Sequence, residues 1–193
     1  MKTFWVGLGH RQNTGKNLFG ALLYNELVKL GIDSHCTSFA SNLKMQAQQL
    51  FHQYGMMSGM YYEANRDEKE APLGDLDASP RDIYIKLGLF MRSFDKDYWL
   101  NALMNDPFHQ QYRVTIVTDV RFPNELERIQ ADGIGIRIDR PSVPHSEDPA
   151  DNALGDRDDL WDGWITNDRD EEGLREYARE YAEGISKRLK WGK

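Results

Sequence analysis

The sequence predicts an α/β protein in which a parallel sheet is covered by helices on both faces. Segments of β-forming residues alternate with segments whose apolar residues recur at helical spacing, and this alternation is typical of parallel sheets. The segment 113–120 is almost unbroken β-former, as expected for a strand buried on both faces. An N-terminal strand over 3–8 leads into a glycine-containing loop and a helix.

Length and composition fit one well-buried domain. The chain has 193 residues, of which 40% are hydrophobic and 28% charged, as in ordinary soluble globular proteins. The net charge of −7 weighs against a generally cationic surface for nucleic acid, although a local basic pocket is compatible with it. The single cysteine, Cys36, can form no internal disulfide and is expected to be buried filler. No apolar run approaches membrane-spanning length and no signal-peptide pattern is present, so we expect a cytoplasmic protein without a membrane partner.

The first half of the chain predicts a helix, a short strand and a second helix. The first helix ends at Gly31, and 34–40 is a strand candidate. Ser41 or Asn42 is expected to cap the helix that continues to about residue 54. Residues 55–79 lack clear periodicity and predict a long functional loop or a broken helical segment. The inward-facing residues expected for the first helix are Leu18, Leu22, Leu23, Leu27 and Leu30.

The second half begins with a strong helix start. Ser79 and Pro80 place a capping residue before a proline in the first helical position, and this helix is expected to reach about residue 93. A further helical piece over 96–104 precedes the strand 113–120. Pro123 opens the next helix, and Gly133 is expected to close it.

The C-terminal part predicts a strand, an acidic segment and a long helix. A strand over 134–139 is followed by residues 145–172, which hold eleven Asp or Glu and two Arg. That composition fits a solvated connection or lid with a short strand near 164–166. The last helix is expected over 171–189, with Leu174, Tyr177, Ala178, Tyr181 and Ile185 facing inward.

Ligands of such sheets lie beyond the carboxyl ends of the strands, which selects the stretch Gly9-His10-Arg11-Gln12-Asn13-Thr14-Gly15-Lys16. A strand, a tight loop ending in Gly-Lys and a helix is the context in which main-chain N–H groups and the helix dipole bind an anion. Lys16 would then reach the outer phosphates of a nucleoside triphosphate. The alternative is an ordinary strand–helix turn that needs glycine for its shape.

The second selected place is Thr118-Asp119-Val120-Arg121, after the strand 113–120. Asp119 stands where a phosphate-loop enzyme needs a carboxylate to hold Mg²⁺ directly or through water, or it is a helix-capping residue. Arg121 could point at phosphates in the same crevice, or it could pair with Glu125 or Asp119.

Further arginines have the charge that binding a second anionic group would need. Phosphoryl transfer relies on positioning two anionic groups and neutralising their charge, and Arg66, Arg81 and Arg92 are candidates, although most arginines in any protein are merely solvated. Arg140 precedes His145, a single loop histidine that we expect at the surface. No metal cluster and no Ser-His-Asp or Cys-His nucleophilic set is indicated.

With these residues assembled, the chain resembles the deoxynucleoside monophosphate kinases of tailed bacteriophages, a branch of the P-loop kinases. The resemblance spans nearly the whole length, and its most specific block is Asp119-Val120-Arg121-Phe122-Pro123-Asn124-Glu125. The other matching stretches are the Gly-Lys loop, Phe39-Ala40-Ser41-Asn42-Leu43-Lys44, Asn65-Arg66-Asp67-Glu68-Lys69-Glu70, Ser79-Pro80-Arg81, Leu87-Gly88, Arg92, Trp99, Arg140-Pro141, His145-Ser146-Glu147 and Ile165-Thr166-Asn167-Asp168.

The resemblance implies a P-loop nucleotide-kinase-like fold and transfer of the ATP γ-phosphoryl group to a deoxynucleoside monophosphate. It implies one kinase domain over 1–193, with a substrate-binding insertion at about 55–95 and a lid-like acidic segment at about 141–168. ATP and Mg²⁺ are the implied cofactors. The catalytic candidates are Lys16, Asp119 and Arg121. The ATP-binding candidates are Arg11, Asn13, Thr14, Gly15, Lys16, Asn17 and Arg140. The acceptor candidates are Lys44, Arg66, Arg81 and Arg92, and the metal candidates are Asn17 and Asp119.

The loop departs from the family pattern at several positions. His10 stands where the family usually has glycine, and Asn13 where it often has arginine. Asn17 and Leu18 replace the usual aspartate and threonine. Arg11 could restore the lost positive charge, and Asn17 can offer Mg²⁺ a neutral oxygen, which is a weaker ligand than a carboxylate.

Three functions remain open from the sequence. The first is a kinase acting on a free deoxynucleotide, in the host cytoplasm if the chain is phage-encoded. The second is a kinase acting on a modified base within phage DNA, which the acidic composition disfavours because binding a polymer normally needs a basic track. The third is a nucleotide-binding protein without catalysis. The accepted base is not indicated, and a homodimer is among the arrangements left open.

Overall fold

The computed structural model describes residues 2–144, 152–155 and 157–191. Within them five strands form one sheet: β1 (Phe4–Gly9), β2 (Ser34–Thr37), β3 (Val114–Val120), β4 (Gly133–Asp139) and β5 (Gly163–Thr166). The strand order is β2-β3-β1-β4-β5, and every adjacent pair is parallel. The predicted α/β class with a parallel sheet is therefore confirmed, including the short strand in the acidic segment.

The helices divide between two compact units. The first unit comprises Met1–Ser38 and Asp106–Lys193, and the second comprises Phe39–Asn105. The helices in chain order are α1 (Lys16–Lys29), α2 (Phe39–Phe51), α3 (Gly59–Ala64), α4 (Arg66–Glu70), α5 (Pro80–Phe94), α6 (Tyr98–Met104), α7 (Pro107–Gln110), α8 (Pro123–Gln130) and α9 (Glu171–Trp191). Short 3-10 turns cover His52–Tyr54 and Asp158–Leu160. The sheet and helices α1, α7, α8 and α9 belong to the first unit.

Helices cover both faces of the sheet in the first unit. Gly20 of α1 lies against side chains that include Leu8 of β1, whereas Gly7 of β1 lies against Ile129 of α8. Because neighbouring residues of a strand point to opposite faces, α1 and α8 pack on opposite sides. Helix α9 packs on α1. The core between these layers is aliphatic, with Val6, Leu8, Leu23, Leu27, Ile116, Ile136, Ile138, Ile165, Ala178 and Ile185 among its buried members.

The buried stripe of α1 differs at its two ends from the prediction. Leu22, Leu23 and Leu27 are buried as expected, but Leu18 and Leu30 are 42% and 48% exposed. The inward position in the first turn is taken by Phe19, which is fully buried, and Leu30 lies beyond the last helical residue as the C-cap. In α9, Leu174, Ala178 and Ile185 are buried, with Tyr177 and Tyr181 partly buried against the same core.

The second unit has its own small core, formed by Ala47, Met56, Tyr62, Leu73, Ile83 and Tyr84. The predicted start of α5 is confirmed, because the Ser79 hydroxyl accepts from the Asp82 N–H at 3.2 Å and the Ser79 N–H donates to the Asp82 carboxylate at 2.9 Å. The region predicted as a loop or broken helix contains α3 and α4, two short helices.

Several predicted boundaries are wrong by a few residues. Helix α2 already begins at Phe39, so Ser41 and Asn42 lie inside its first turn and do not cap it. Strand β2 correspondingly ends at Thr37, three residues before the predicted end. Gly133 opens β4 instead of closing α8, which ends at Gln130.

The structure describes the whole of the expected insertion but only part of the expected lid. Residues 55–95 fall within the second unit, whose own bounds are wider, and their role in substrate binding stays a prediction. Residues 145–151 and 156 of the acidic segment, including His145, Ser146 and Glu147, lie outside the described residues. Across the described part of the chain, no helix has the length and apolar character needed to cross a membrane.

Candidate functional site

The carboxyl ends of β1 and β3 mark the switch point of the sheet. These strands are adjacent and parallel, and the helices that follow them, α1 and α8, cover opposite faces. Chain segments that leave neighbouring strands in opposite directions open a crevice where open α/β sheets bind ligands. The β1–α1 loop (residues 10–15) and the stretch from Asp119 to Arg121 therefore share one edge of the sheet, as the sequence predicts.

The β1–α1 loop leads into α1 without a side-chain cap at the start of the helix. Gly15 is the N-cap residue with φ of 99°, and no side chain caps the helix. The first turn of this 14-residue helix also contains no acidic residue. Because the first N–H groups of a helix lack intrahelical acceptors and lie at its positive end, this terminus suits an anion. Two further loop residues, His10 and Asn13, have φ of 91° and 59°, values that favour glycine.

The ammonium group of Lys16 is turned back into the β1–α1 loop. It donates to the carbonyl oxygens of His10, at 3.1 Å, and of Arg11. Its nitrogen also lies 3.5 Å from the Thr14 hydroxyl, and that hydroxyl donates to the Arg11 carbonyl oxygen. Lys16 thus places a positive charge within the loop, next to the start of α1.

The remaining ATP and metal candidates surround this loop. Arg11 is half-buried, whereas Asn13 and Asn17 are exposed on either side of the Gly-Lys pair. Thr14 is buried, with its hydroxyl in the bond described above. Arg140 is exposed directly after β4, the other neighbour of β1.

His10, which departs from the usual loop pattern, is buried beside the end of β4. Its side chain is buried, with a relative exposure of 3%, and Nδ1 lies 2.5 Å from Oδ1 of Asp139 at the end of β4, although out of line for a hydrogen bond. Burial lowers the pKa of His10 to about 4, outweighing the opposite effect of Asp139, while Arg137, Arg11 and Lys16 lower it further. The histidine is therefore neutral near pH 7.

This burial predicts a loss of stability on mild acidification. The unfolded chain takes up a proton at His10 near pH 6.5, whereas the folded chain does so only near pH 4, so the free energy of unfolding falls as the pH drops from 6.5 to 4. The contribution amounts to at most about 3 kcal/mol. Urea unfolding across this pH range should show a weaker pH dependence in His10→Asn than in the wild type. His35 and His109, whose pKa values burial also lowers, add a residual slope to both.

The wild type, unfolded in urea over the same pH range, is the reference for this experiment. Identical pH profiles for the wild type and His10→Asn would contradict the assignment of a depressed pKa to His10.

Arg137 carries a buried charge beside the same carboxylate. Its relative exposure is 5%, and its Nε donates to Oδ2 of Asp139 at 3.0 Å. Its Nη1 pairs with Asp158, and its guanidinium lies 4.3 Å from the centre of the Trp164 ring. A buried arginine needs such partners, and the pairs connect β4 and β5 with the 3-10 turn Asp158–Leu160.

The end of β3 carries the second set of predicted residues. Asp119 lies within the strand and Arg121 follows it, and both are half-buried. The Glu125 carboxylate accepts from the main-chain N–H groups of Arg121 and Phe122 at 2.9 and 3.1 Å. Glu125 therefore caps the start of α8 through the main-chain N–H groups of Arg121 and of the N-cap residue Phe122.

The four acceptor candidates all lie in the second unit. Lys44 pairs with Glu63 at 2.6 Å, and Arg81 pairs with Glu70 at 3.0 Å. Arg66 is exposed at the start of α4, and Arg92 is half-buried in the last turn of α5. An open pocket of about 430 Å³ is lined by residues Glu63, Ala64, Asn65, Arg66, Asp67 and Glu68.

The donors available for a metal ion are few. Among the described residues, no group of three or more His, Cys, Asp or Glu side chains could hold one. The amide of Asn17 and the carboxylate of Asp119 are two oxygen donors, which fits Mg²⁺ bound mainly through water and nucleotide phosphates. Cys36, expected to be buried filler, is only partly buried, and burial raises the pKa of its thiol to about 11, with Asp119 contributing.

Comparison with known proteins assigns no family. No family model matches the sequence, and no curated protein matches it either. Among solved structures, the chain is similar to shikimate kinase from Aquifex aeolicus vf5, with a TM-score of 0.44, 14% identity and coverage of 95% of this chain and 98% of that one. It is similar to the APS kinase CysC of Mycobacterium tuberculosis, with a TM-score of 0.46, 12% identity and coverage of 94% and 98%.

A third similar structure is shikimate kinase from Acinetobacter baumannii in complex with shikimate, with a TM-score of 0.45, 14% identity and coverage of 99% of this chain and 95% of that one. All three proteins are named as kinases. At these identities and TM-scores the likenesses establish neither the family nor the activity of this chain.

Proposed function

We propose that this chain is a phosphotransferase that uses ATP and transfers its γ-phosphoryl group to a deoxynucleoside monophosphate, giving the diphosphate. The observation that carries the proposal is the β1–α1 loop, which surrounds the ammonium of Lys16 at the uncapped start of α1. Backbone N–H groups, a helix N-terminus and a lysine together form the arrangement that binds triphosphates.

On the donor side, the switch-point residues have complementary tasks. Lys16 neutralises the outer phosphates, and Arg121 supplies a planar, permanently charged group at the neighbouring strand end. Asn17 and Asp119 would hold Mg²⁺, which when bound neutralises phosphate charge and aligns the transferring group. A carboxylate and a neutral amide make a weaker metal site than two carboxylates, so we expect binding of the metal as its nucleotide complex.

On the acceptor side, the second unit supplies the cationic groups. Lys44 and Arg81 are held by Glu63 and Glu70, and both ion pairs involve partly exposed side chains, which makes them weak enough for a phosphate to replace. The choice of a deoxynucleotide is supported by the resemblance at the block around Arg121. The net charge of −7 supports a free nucleotide over DNA as the acceptor.

A non-catalytic nucleotide-binding protein is the second candidate, and the departures in the loop favour it. His10 occupies a backbone conformation that suits glycine, and Asn17 replaces a carboxylate. Either change could leave ATP binding intact while slowing transfer.

One assay separates these functions. The purified chain is incubated with Mg²⁺, ATP labelled in its γ-phosphate and either one deoxynucleoside monophosphate or phage DNA, and the labelled products are separated by chromatography. Binding of ATP is measured on the same protein by calorimetry. Formation of one or more deoxynucleoside diphosphates supports the proposal. ATP binding without any product supports the non-catalytic alternative, and labelling only of phage DNA supports a kinase acting on a base in the polymer.

Substitution of Asn17 by Asp should lower the Mg²⁺ concentration that the reaction needs. The carboxylate adds a negative charge beside Lys16, where the metal would bind, so the half-saturating Mg²⁺ concentration at fixed ATP should fall by about threefold or more. Asn17→Ala, which removes the oxygen donor, should raise it. If neither variant changes the Mg²⁺ dependence, Asn17 takes no part in holding the metal.

A further inference from the structure

Asn167 lies directly after β5, and its side-chain amide reaches the β1–α1 loop. Nδ2 of Asn167 donates to the carbonyl oxygen of Thr14 at 2.9 Å. The main-chain N–H of Asn167 donates to the carbonyl oxygen of Asp139 at 2.6 Å, so the residue is itself fixed to the end of β4. The amide also lies against Gly15, where any side chain larger than hydrogen would collide with Nδ2.

The bond to Thr14 determines the orientation of one peptide plane. In a planar trans peptide the C=O and N–H groups point in opposite directions. When Asn167 holds the Thr14 carbonyl oxygen, the N–H of Gly15 is therefore directed to the other side of the loop. Reversal of this plane would turn a carbonyl oxygen to the side that now presents an N–H group, and an oxygen repels an anion.

Glycine at position 15 makes such a reversal easy in the backbone. Rotating the peptide plane by about 180° would carry φ of Gly15 from 99° into the ordinary negative region, and glycine adopts both with little difference in energy. The sequence of the loop therefore does not fix the plane. A contact from outside the loop has to do so, and Asn167 provides one.

We propose that Asn167 is a positioning residue, which locks the Thr14–Gly15 peptide in the orientation that directs the Gly15 N–H toward a bound phosphate. This inference rests on the proposed function, since it assumes that the β1–α1 loop binds a polyphosphate. Asn167 acts through the loop and needs no contact with the nucleotide.

Asn167→Ala removes the hydrogen bond to the Thr14 carbonyl oxygen, and Asn167→Gln retains an amide donor. Asn101→Ala, at an exposed position of α6, is the matched control. The measurements are the affinity for inorganic triphosphate by calorimetry, KM for ATP and kcat, the NMR coupling constants between the amide and α protons of Gly15, which report its φ, and Tm. For Asn167→Ala we expect about tenfold weaker triphosphate binding, a KM raised in parallel and Gly15 couplings that show negative φ values in addition to the φ of 99° seen here. Asn167→Gln should recover part of the affinity, and Asn101→Ala should match the wild type.

A purely structural role for Asn167 predicts a different pattern. Tm would fall in Asn167→Ala while triphosphate affinity and KM of the folded protein stay normal, and that result would overturn the inference. An Asn167→Gln variant as weak as Asn167→Ala would also overturn it, because the amide donor would then be irrelevant. If the wild type binds no triphosphate, the proposed function fails, and the Gly15 coupling constants alone decide whether Asn167 holds the peptide.

Discussion

Substitution of Lys16 by Ala should abolish phosphoryl transfer, with a loss of kcat/KM larger than for any other single change in the chain. The ammonium is the positive charge inside the β1–α1 loop, and removing it leaves the triphosphate without its main cationic partner. Lys16 also donates to the carbonyl oxygens of His10 and Arg11. Loss of these bonds should lower the free energy of unfolding by on the order of 1 kcal/mol, which a small decrease in Tm would show. Coupled assays and thermal unfolding on the same sample measure both effects.

Lys187→Ala, which removes one positive charge from an exposed position on α9, is the matched control for Lys16→Ala. It should retain normal turnover. A Lys16→Ala protein that is folded and turns over at nearly the wild-type rate would remove the basis for a phosphate-binding loop.

Substitution of Arg121 by Ala should lower kcat by on the order of 100-fold or more, equivalent to roughly 3 kcal/mol of lost transition-state stabilisation. The residue follows β3 at the switch point, next to the loop that would hold the donor phosphates. Arg121→Lys should recover only part of the rate, because an ammonium cannot reproduce the planar two-pronged contact of a guanidinium. Steady-state kinetics on the three proteins measures the effect.

A catalytic role of the Arg121 side chain can be distinguished from a structural one. The bond to Glu125 uses the main-chain N–H of Arg121, so it survives the substitution by Ala and the start of α8 stays capped. Arg128→Ala, which removes an exposed arginine from α8, is the matched control and should be nearly neutral. An Arg121→Ala protein with a lowered Tm and normal kcat would rule out the catalytic role.

The strands and helices could be predicted because their signals are local. The β-forming run of β3, the proline at the start of α5 and the apolar spacing of α1 each identify an element without knowledge of the rest. Boundaries were harder to predict, because packing can override local signals. Helix α2 begins at Phe39 although capping residues follow it, because packing of an apolar face can extend a helix past its best caps.

The support around the loop could not be predicted, because it depends on which strands are neighbours. Asp139 follows His10 by more than a hundred positions, and Asn167 is 153 positions from Thr14. These residues meet the loop because β4 pairs with β1 and β5 pairs with β4. The motif around Asn167 belongs to the resemblance, but nothing in its spacing indicates a bond to the Thr14 carbonyl oxygen.

The division of the chain into a continuous and a discontinuous unit has a consequence for biosynthesis. Strand β1 pairs with β3, so Phe4 can pair with Val114 only after the ribosome has synthesised β3. Contacts between such distant positions also form slowly. The unit Phe39–Asn105 is continuous and emerges from the ribosome before β3 exists, so it can fold while β1 and β2 are still unpaired. Nascent chains therefore carry the apolar strand β1 without its partner β3 during that interval, and this is the stage at which we expect aggregation and chaperone binding.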